Sequence, residues 1–243
     1  MVTEIRISVA MTVYNGERYL KEQLESVLTQ LSLSDEVVIS DDGSSDGTVE
    51  QILQLQQQDE RIHFIKGPGR GVKKNVEHAI KNCRGAYVFL ADQDDIWKPD
   101  KVETVMRAFL EHDAYLVIHD AQVIQGDDTQ TICMDSFFHF RKARAGILKN
   151  MIKNSYIGCC MAFRRELEEK ILPIPNNIEM HDQWIGIVSD FYYGKSVFLW
   201  EPLILYRRHG RNQSEMKPYT LGKKIRNKTV FGVQFILRIL HIH

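Results

Sequence analysis

The stretch "LADQDDIWKPDK" ends an apolar run with three carboxylates in four positions, Asp92, Asp94 and Asp95. Like charges this close raise one another's pKa unless a cation or a hydrogen-bond donor holds them. Asp92 and Asp94, two apart, offer the hard oxygen ligands that share magnesium or manganese, with water and phosphate filling the other positions. A calcium-binding loop also opens D-x-D, but it needs glycine at its sixth position, where Trp97 stands. Two more polar clusters follow apolar runs: Thr12, Tyr14 and Asn15 after "ISVAMTV", and Asp41 and Asp42 after "EVVIS". Each alone reads as a solvated turn. Three in succession read as one edge of a ligand site.

The elements that must position these residues alternate. "IRISVAMTV", "EVVIS", "RIHFI" and "AYVFLA" have the short apolar pattern of buried strands. Helical spacing follows in Leu20, Leu24, Val27 and Leu28, in Ile52 and Leu55, in Val72, Val76, Ala79 and Ile80, and in Val102, Val105, Met106 and Phe109. This order predicts an α/β fold, a Rossmann-like and mostly parallel sheet flanked by helices. Ligands bind such sheets beyond the carboxyl ends of the strands. After Asp120 the rhythm loosens. "SYIGCCMAF" reads as a buried strand, "HDQWIGIVSDFYY" as the opening of a helix, and "KSVFLWEPLILYRRH" as strands joined at Pro202. The expected organisation is a nucleotide-binding half over residues 1–125 and an irregular acceptor-binding half of the same domain over 126–220. A basic amphipathic helix follows over 221–243.

The chain has 243 residues, 44% hydrophobic and 26% charged, with a formal net charge of -1. That is an ordinary globular balance, without the basic excess of a nucleic-acid binder. Its four cysteines have no C-x-x-C spacing, which argues against a disulfide framework or structural zinc and fits a reducing, cytoplasmic setting. The start, "MVTEIRISVAMTV", lacks the pattern of a secretion signal. Neither G-x-G-x-x-G after the first strand nor G-x-x-x-x-G-K-[ST] occurs, so a dinucleotide fold and a P-loop have no support.

In order and spacing, "ISVAMTVYNGERYLKEQLESVLTQ", "EVVISDDGSSDGT", "GVKKN" and "AYVFLADQDDIWKPDKV" resemble the nucleotide-binding half of family 2 glycosyltransferases with the GT-A fold. The resemblance continues more thinly through "YIGCCMAFRR", "HDQW" and "YRRHGRNQS". "DQDDIW", in place of the commoner D-A-D-D, is similar to bacterial enzymes that build surface polysaccharides, rhamnosyltransferase-like members among them. The resemblance implies an inverting transfer of a sugar from a UDP- or dTDP-linked donor to the hydroxyl of a saccharide or lipid-linked acceptor. It also implies a manganese or magnesium cofactor.

Residue by residue, the resemblance places Thr12, Tyr14, Asn15 and Glu17 around the nucleotide. Asp42 would accept a hydrogen bond from the N3–H of a uracil-type base, and Asp41 would support its loop. Lys74 stands where relatives often carry arginine, and would contact base or phosphate without arginine's planar fork. Asp92 faces ribose or metal-bound water, Asp94 the metal, and Asp95 caps the next turn. Asp182 in "HDQW" matches the catalytic base, although aspartate is also a favoured N-cap before such a run. His209 either reaches the metal or diphosphate or is a surface-loop histidine. The helix carrying Lys223, Lys224, Arg226, Lys228 and Arg238 either lies on the inner face of a membrane or covers the core. Two readings of other classes stay open: a nucleotide-sugar-binding regulator, which has no need of Asp182, and a membrane-associated assembly subunit.

Overall fold

In a computed structural model that describes residues 6–194, 196–209 and 220–240, the first strands are buried along their whole length. β1 (Ile7–Val13) and β2 (Glu36–Asp41) expose no residue appreciably, as befits parallel strands covered on both faces. β3 (Ile62–Lys66) and β4 (Tyr87–Asp92) complete a parallel set in the order β3-β2-β1-β4. The crossovers are α1 (Leu20–Leu28), α2 (Thr48–Gln58) and α3 (Val72–Lys81), each with an apolar stripe turned to the sheet.

A two-residue strand, β5 (Ile96–Trp97), and α4 (Lys101–His112) follow the D-x-D turn. The second half then builds onto the same sheet. It contributes β6 (Leu116–Gln125), β7 (Asp128–Met134), α5 (Phe137–Arg141), α6 (Ile147–Ile152), β8 (Met161–Arg164), α7 (Glu168–Ile171), α8 (His181–Tyr192), β9 (Ser196–Arg208) and α9 (Leu221–Ile239). β8 runs antiparallel between β4 and β6, while β9 pairs with β6 in parallel and with β5 in antiparallel. One sheet therefore spans both halves, with a single apolar core on its faces.

Three expectations change in detail. "SYIGCCMAF" is a 3-10 turn at Gly158–Cys160 leading into β8, not one strand. "SVFLWEPLILYRR" is one strand with a register jump, His119 pairing Leu199 and Asp120 pairing Pro202. Proline cannot donate to a ladder, so the jump falls where the ladder tolerates it. The C-terminal helix is a core element along one face: Phe231 meets Trp184 with ring centroids 5.9 Å apart, and Phe235 meets Phe191 at 5.4 Å. Arg238 ties its end down by donating to the Lys170 and Leu172 carbonyls at 3.0 and 2.5 Å. Phe231 and Phe235 of this helix are buried, while Ile236 and Leu240 are exposed. No helix among the described residues is long and apolar enough to cross a membrane.

Candidate active site

Parallel register sets the ends of β1, β2 and β4 level, because Thr12 pairs with both Ser40 and Asp92. The loops beyond are clasped together by side chains. Gln93 bonds both backbone groups of Tyr14, accepting from its N–H at 2.7 Å and donating to its carbonyl at 3.0 Å. Gly16 lies so close beneath that a Cβ there would stand 2.5 Å from the Gln93 side chain. Tyr14 itself is exposed, with its ring free to lie against a ligand.

Asn15, in the left-handed region at φ 50°, accepts from the Ser45 N–H at 2.8 Å, and Glu17 accepts from the Gly47 N–H at 3.0 Å. Both side chains thus tie the loop after β1 to the loop after β2. Asp41 accepts from the Gly43 and Ser44 N–H groups at 3.1 and 3.0 Å, the loop support expected of it. Asp42 accepts from the backbone N–H groups of Arg70 and Gly71 at 3.2 and 2.7 Å, at the start of α3.

Asp92, Asp94 and Asp95 gather at the end of β4. Burial, then the charges of Asp94 and Asp182, push Asp92 up to about 7, while Lys101 and Thr12 oppose the rise. Burial with the charges of Asp94 and Asp92 drives Asp95 well above the ordinary carboxylate range. The cluster is held from β9. The Arg207 N–H donates to Asp95 Oδ1 at 3.1 Å, and its guanidinium to the Asp94 carbonyl at 2.7 Å and to Glu22 at 2.6 Å. Its neighbour His209 brings Nε2 to within 2.7 Å of Asp94 Oδ2, with the imidazole stacked 5.3 Å from the Tyr19 ring. From beneath, the Lys101 ammonium is buried 3.7 Å from the Trp97 ring centre and donates to the Cys159 carbonyl at 3.2 Å. Burial lowers Lys101 to about 8.

Two groupings could hold a cation. Ligand atoms of Asp92, Asp95 and Cys159 all lie within 4.8 Å of one another. A hydrogen bond with Cys160, together with burial, keeps the Cys159 thiol far above its ordinary value, and a soft sulfur ligand does not suit magnesium or manganese. Asp94 and His209 fit better. Cis ligands of an octahedral ion with bonds of about 2.1 Å lie about 3 Å apart, close to the 2.7 Å seen. Carboxylate oxygens suit magnesium or manganese, and one imidazole tilts the set toward manganese.

Asp182 lies inside the first turn of α8, whose N-cap is Met180, so it is not the cap of that helix. Its Oδ1 accepts from Asn154 Nδ2 at 3.1 Å and from the Gln183 N–H at 2.6 Å. Burial raises it to about 6, against the opposing pull of the Gln183 N–H, the Arg141 charge and Asn154. His181 beside it is buried and pushed down to about 4, chiefly by that burial. A clamp from α3 sets this segment in place. Lys74 donates to Glu77 and to the Ile174 carbonyl at 2.7 and 2.9 Å, and Lys73 to the Asn176 and Ile178 carbonyls. The expected contact of Lys74 with base or phosphate is therefore corrected, because the Glu77 carboxylate on its own helix and the Ile174 carbonyl capture its ammonium.

Structure adds Gln93, Lys101, Arg141, Asn154 and Arg207 to the residues named from sequence. Only Gln93 left a signal there, as the bulky middle of D-Q-D. Residues 210–214 of the last motif lie outside the described residues.

The family described as Glycosyl transferase family 2 matches residues 8–172. A glycosyltransferase of Nostoc sp. is 33% identical over 217 residues, which cover 86% of this chain and 66% of that protein. TuaG of Bacillus subtilis, described as a teichuronic acid biosynthesis glycosyltransferase, is 28% identical over 75% of this chain and 72% of its own length. Among solved structures, S. aureus TarS 1-349 with UDP-GlcNAc superposes with a TM-score of 0.71 at 17% identity, over 93% of this chain and 66% of that one. The mannosyltransferase PcManGT of Pyrobaculum calidifontis, with GDP-Man and Mn2+, gives 0.61 at 17% identity, over 87% and 59%. At these identities the structures show the fold, which is GT-A. The chain spans just under two thirds of the Nostoc protein and of TarS 1-349.

The cluster makes stability depend on pH. Asp92 titrates near 7 when folded and near ~3.9 when unfolded, so the native state binds more protons in between and loses stability as pH rises through 7. Asp95, also raised, acts in the same direction, while Lys101 begins to act only above about 8 and the buried His181 from its ordinary value of 6.5 downward. Metal-free protein is expected to melt at higher temperature at pH 6.5 than at pH 8, with Asp92→Asn reducing the difference and Asp95, raised in the same direction, keeping part of it. Equal melting temperatures in the wild type would mean that Asp92 is already ionised throughout.

Proposed function

The chain belongs to glycosyl transferase family 2, and from that premise we propose an inverting, metal-dependent glycosyltransferase of surface-polysaccharide biosynthesis. It moves a hexosyl or deoxyhexosyl group from a UDP- or dTDP-sugar to the hydroxyl of a saccharide or lipid-linked saccharide, at the cytoplasmic face of a membrane. The observation that carries this reading is the gathering at one edge of the sheet of Asp92, Asp94, His209 and a buried Asp182 whose charge acts on Asp92. The names of relatives agree in kind: one is described as making teichuronic acid, and solved neighbours hold UDP-GlcNAc or GDP-Man with Mn2+.

Thr12 and Tyr14 frame the nucleoside, and Asn15 and Glu17 fix the loop beneath it. A carboxylate has about four lone-pair directions, so the two backbone donors on Asp42 leave room for a base N3–H. Asp94, with Asp92 and His209, would hold the divalent ion, which when bound neutralises the departing diphosphate. Asp182 takes the proton of the attacking hydroxyl. Both of its hydrogen bonds go to Oδ1, which leaves Oδ2 for that proton. A value of about 6 keeps it ionised at neutral pH while still basic enough to act. One base and one direct displacement invert the anomeric centre.

The exposed face of α9 adds a surface contact. Leu221, Ile225, Val233, Ile236 and Leu240 are exposed there, and Lys224, Arg226 and Lys228 surround the first turns. Apolar residues beside cations bind anionic bilayers at the headgroup level, which would bring the site to a lipid-linked acceptor.

Asp182→Asn is expected to slow transfer by about 10²–10⁴-fold while metal-dependent UDP affinity holds. Wild-type turnover should fall as pH drops below about 6, because the base then carries a proton. Near-normal transfer by the variant would remove Asp182 from the chemistry. For the surface contact, the protein should sediment with phosphatidylglycerol vesicles and be released by Ile225→Glu with Ile236→Glu. Equal sedimentation of that variant would show that α9 plays no part.

A further inference from the structure

An aromatic shelf stands on α5, the helix whose last residue, Arg141, acts by its charge on the proposed base, and nothing in the donor site uses it. Its position follows from register. Phe89 of β4, Ala162 of β8 and Val117 of β6 lie side by side, so Asp92 and Asp120, each three residues on, are level at the carboxyl edge. The β9 partner of Asp120 is Pro202, whereas that of His119 is Leu199. Trp200 and Glu201 are thus the two extra residues of the register jump, pushed out at the height of the D-x-D turn.

Trp200 is 52% exposed, whereas Trp97 and Trp184, the other two tryptophans, are buried. It is gripped from α5, edge-on to Phe138 at 5.6 Å and against His139 at 5.1 Å, while Phe140 in the same helix is 50% exposed. Asp120 fixes that helix, accepting from the Phe138 N–H at 2.8 Å and from the Ser136 hydroxyl. At the end of α5 stands Arg141, 5.5 Å from the Phe137 ring centre and near enough for its charge to act on Asp182. Its Nε is buried and finds no hydrogen-bond partner among the described residues.

Exposed aromatic rings lose water favourably to a flat apolar partner, and a pyranose offers one in its face of C–H groups. A protein partner would need about 800 Å² per side, more than a few rings supply, and the shelf adjoins a site that must admit a hydroxyl. The guanidinium of Arg141 donates to no hydrogen-bond acceptor among the described residues, and its terminal nitrogens are suited to an oxyanion, which they can bond bidentately. The geometry points to an acceptor subsite in which Trp200, with His139 and Phe140, stacks one saccharide ring and Arg141 bonds a carboxylate or phosphate carried by that saccharide. The subsite rests on the proposed role of Asp182 and names the acceptor class for that site.

Trp200, the exposed tryptophan, reports directly. Emission of the full chain is followed on adding a tetrasaccharide of alternating glucuronate and N-acetylglucosamine, maltose 1-phosphate, or neutral maltotetraose. A saturable change is expected with at least one charged probe, and about tenfold weaker binding of the neutral one. The stronger charged probe tells carboxylate from phosphate. By calorimetry, Arg141→Gln should bring the charged probe to the neutral level, and Trp200→Ala should weaken it about tenfold or more, with UDP binding in manganese unchanged in both. No saturable response in a protein that binds UDP, or variants that bind the saccharide like wild type, overturns the subsite while the donor reading stands. Equal binding of neutral and charged probes overturns the role of Arg141. Failure of the wild type to bind UDP overturns instead the function on which the subsite rests.

Discussion

Repulsion between carboxylates is the constraint around which this structure is arranged. Asp92, Asp94, Asp95 and Asp182 share one edge of a sheet, largely shielded from water, where unscreened charges cost most. The chain offsets that cost with the buried ammonium of Lys101 below, and with Arg207 and His209 brought in from the last strand. What remains is a cluster pushed toward protonation, with Asp92 near 7 and Asp95 also well above the ordinary carboxylate range. A bound cation would relieve this state. The same groups that make the edge unfavourable by itself therefore suit it to a metal-bridged diphosphate.

The second half of the chain is needed to complete this arrangement. β9 reaches the D-x-D turn by pairing Leu205 with Ile96 and Ile204 with Trp97, and so delivers Arg207 and His209. The segment before α8 is gripped by Lys73 and Lys74 of α3, so a helix of the first half fixes the approach to Asp182. Arg238 of α9 holds the same segment from the other side through the Leu172 and Pro173 carbonyls. The two halves are in this way joined by backbone carbonyls that accept from the cations of α3 and α9.

Much of the first half was legible in the sequence because its signals are local. Parallel strands covered on both faces read as unbroken apolar runs, and the polar residues just beyond them had to lie at the carboxyl edge. The use of individual side chains was less legible. Lys74 looked like a phosphate ligand because its acceptors, Glu77 and the Ile174 carbonyl, include one about a hundred residues away in the chain. Asn15 and Glu17 looked like nucleotide contacts, and their side chains bond the neighbouring loop. Lys101 is one cation among many in the sequence, and only burial against Trp97 gives it meaning. Trp200 was hidden for a similar reason, since a register jump cannot be read from a run of strand-forming residues.

The most direct test of the account is UDP binding by calorimetry, first with manganese and then with the metal removed by a chelator. If the carboxylate edge exists to carry a cation and a diphosphate together, affinity should be strong with manganese and fall by orders of magnitude without it, and Asp94→Ala should show the weak behaviour in both conditions. Equal affinity with and without the metal would contradict the account, and would leave the cluster as a structural feature held by Lys101 and Arg207 alone.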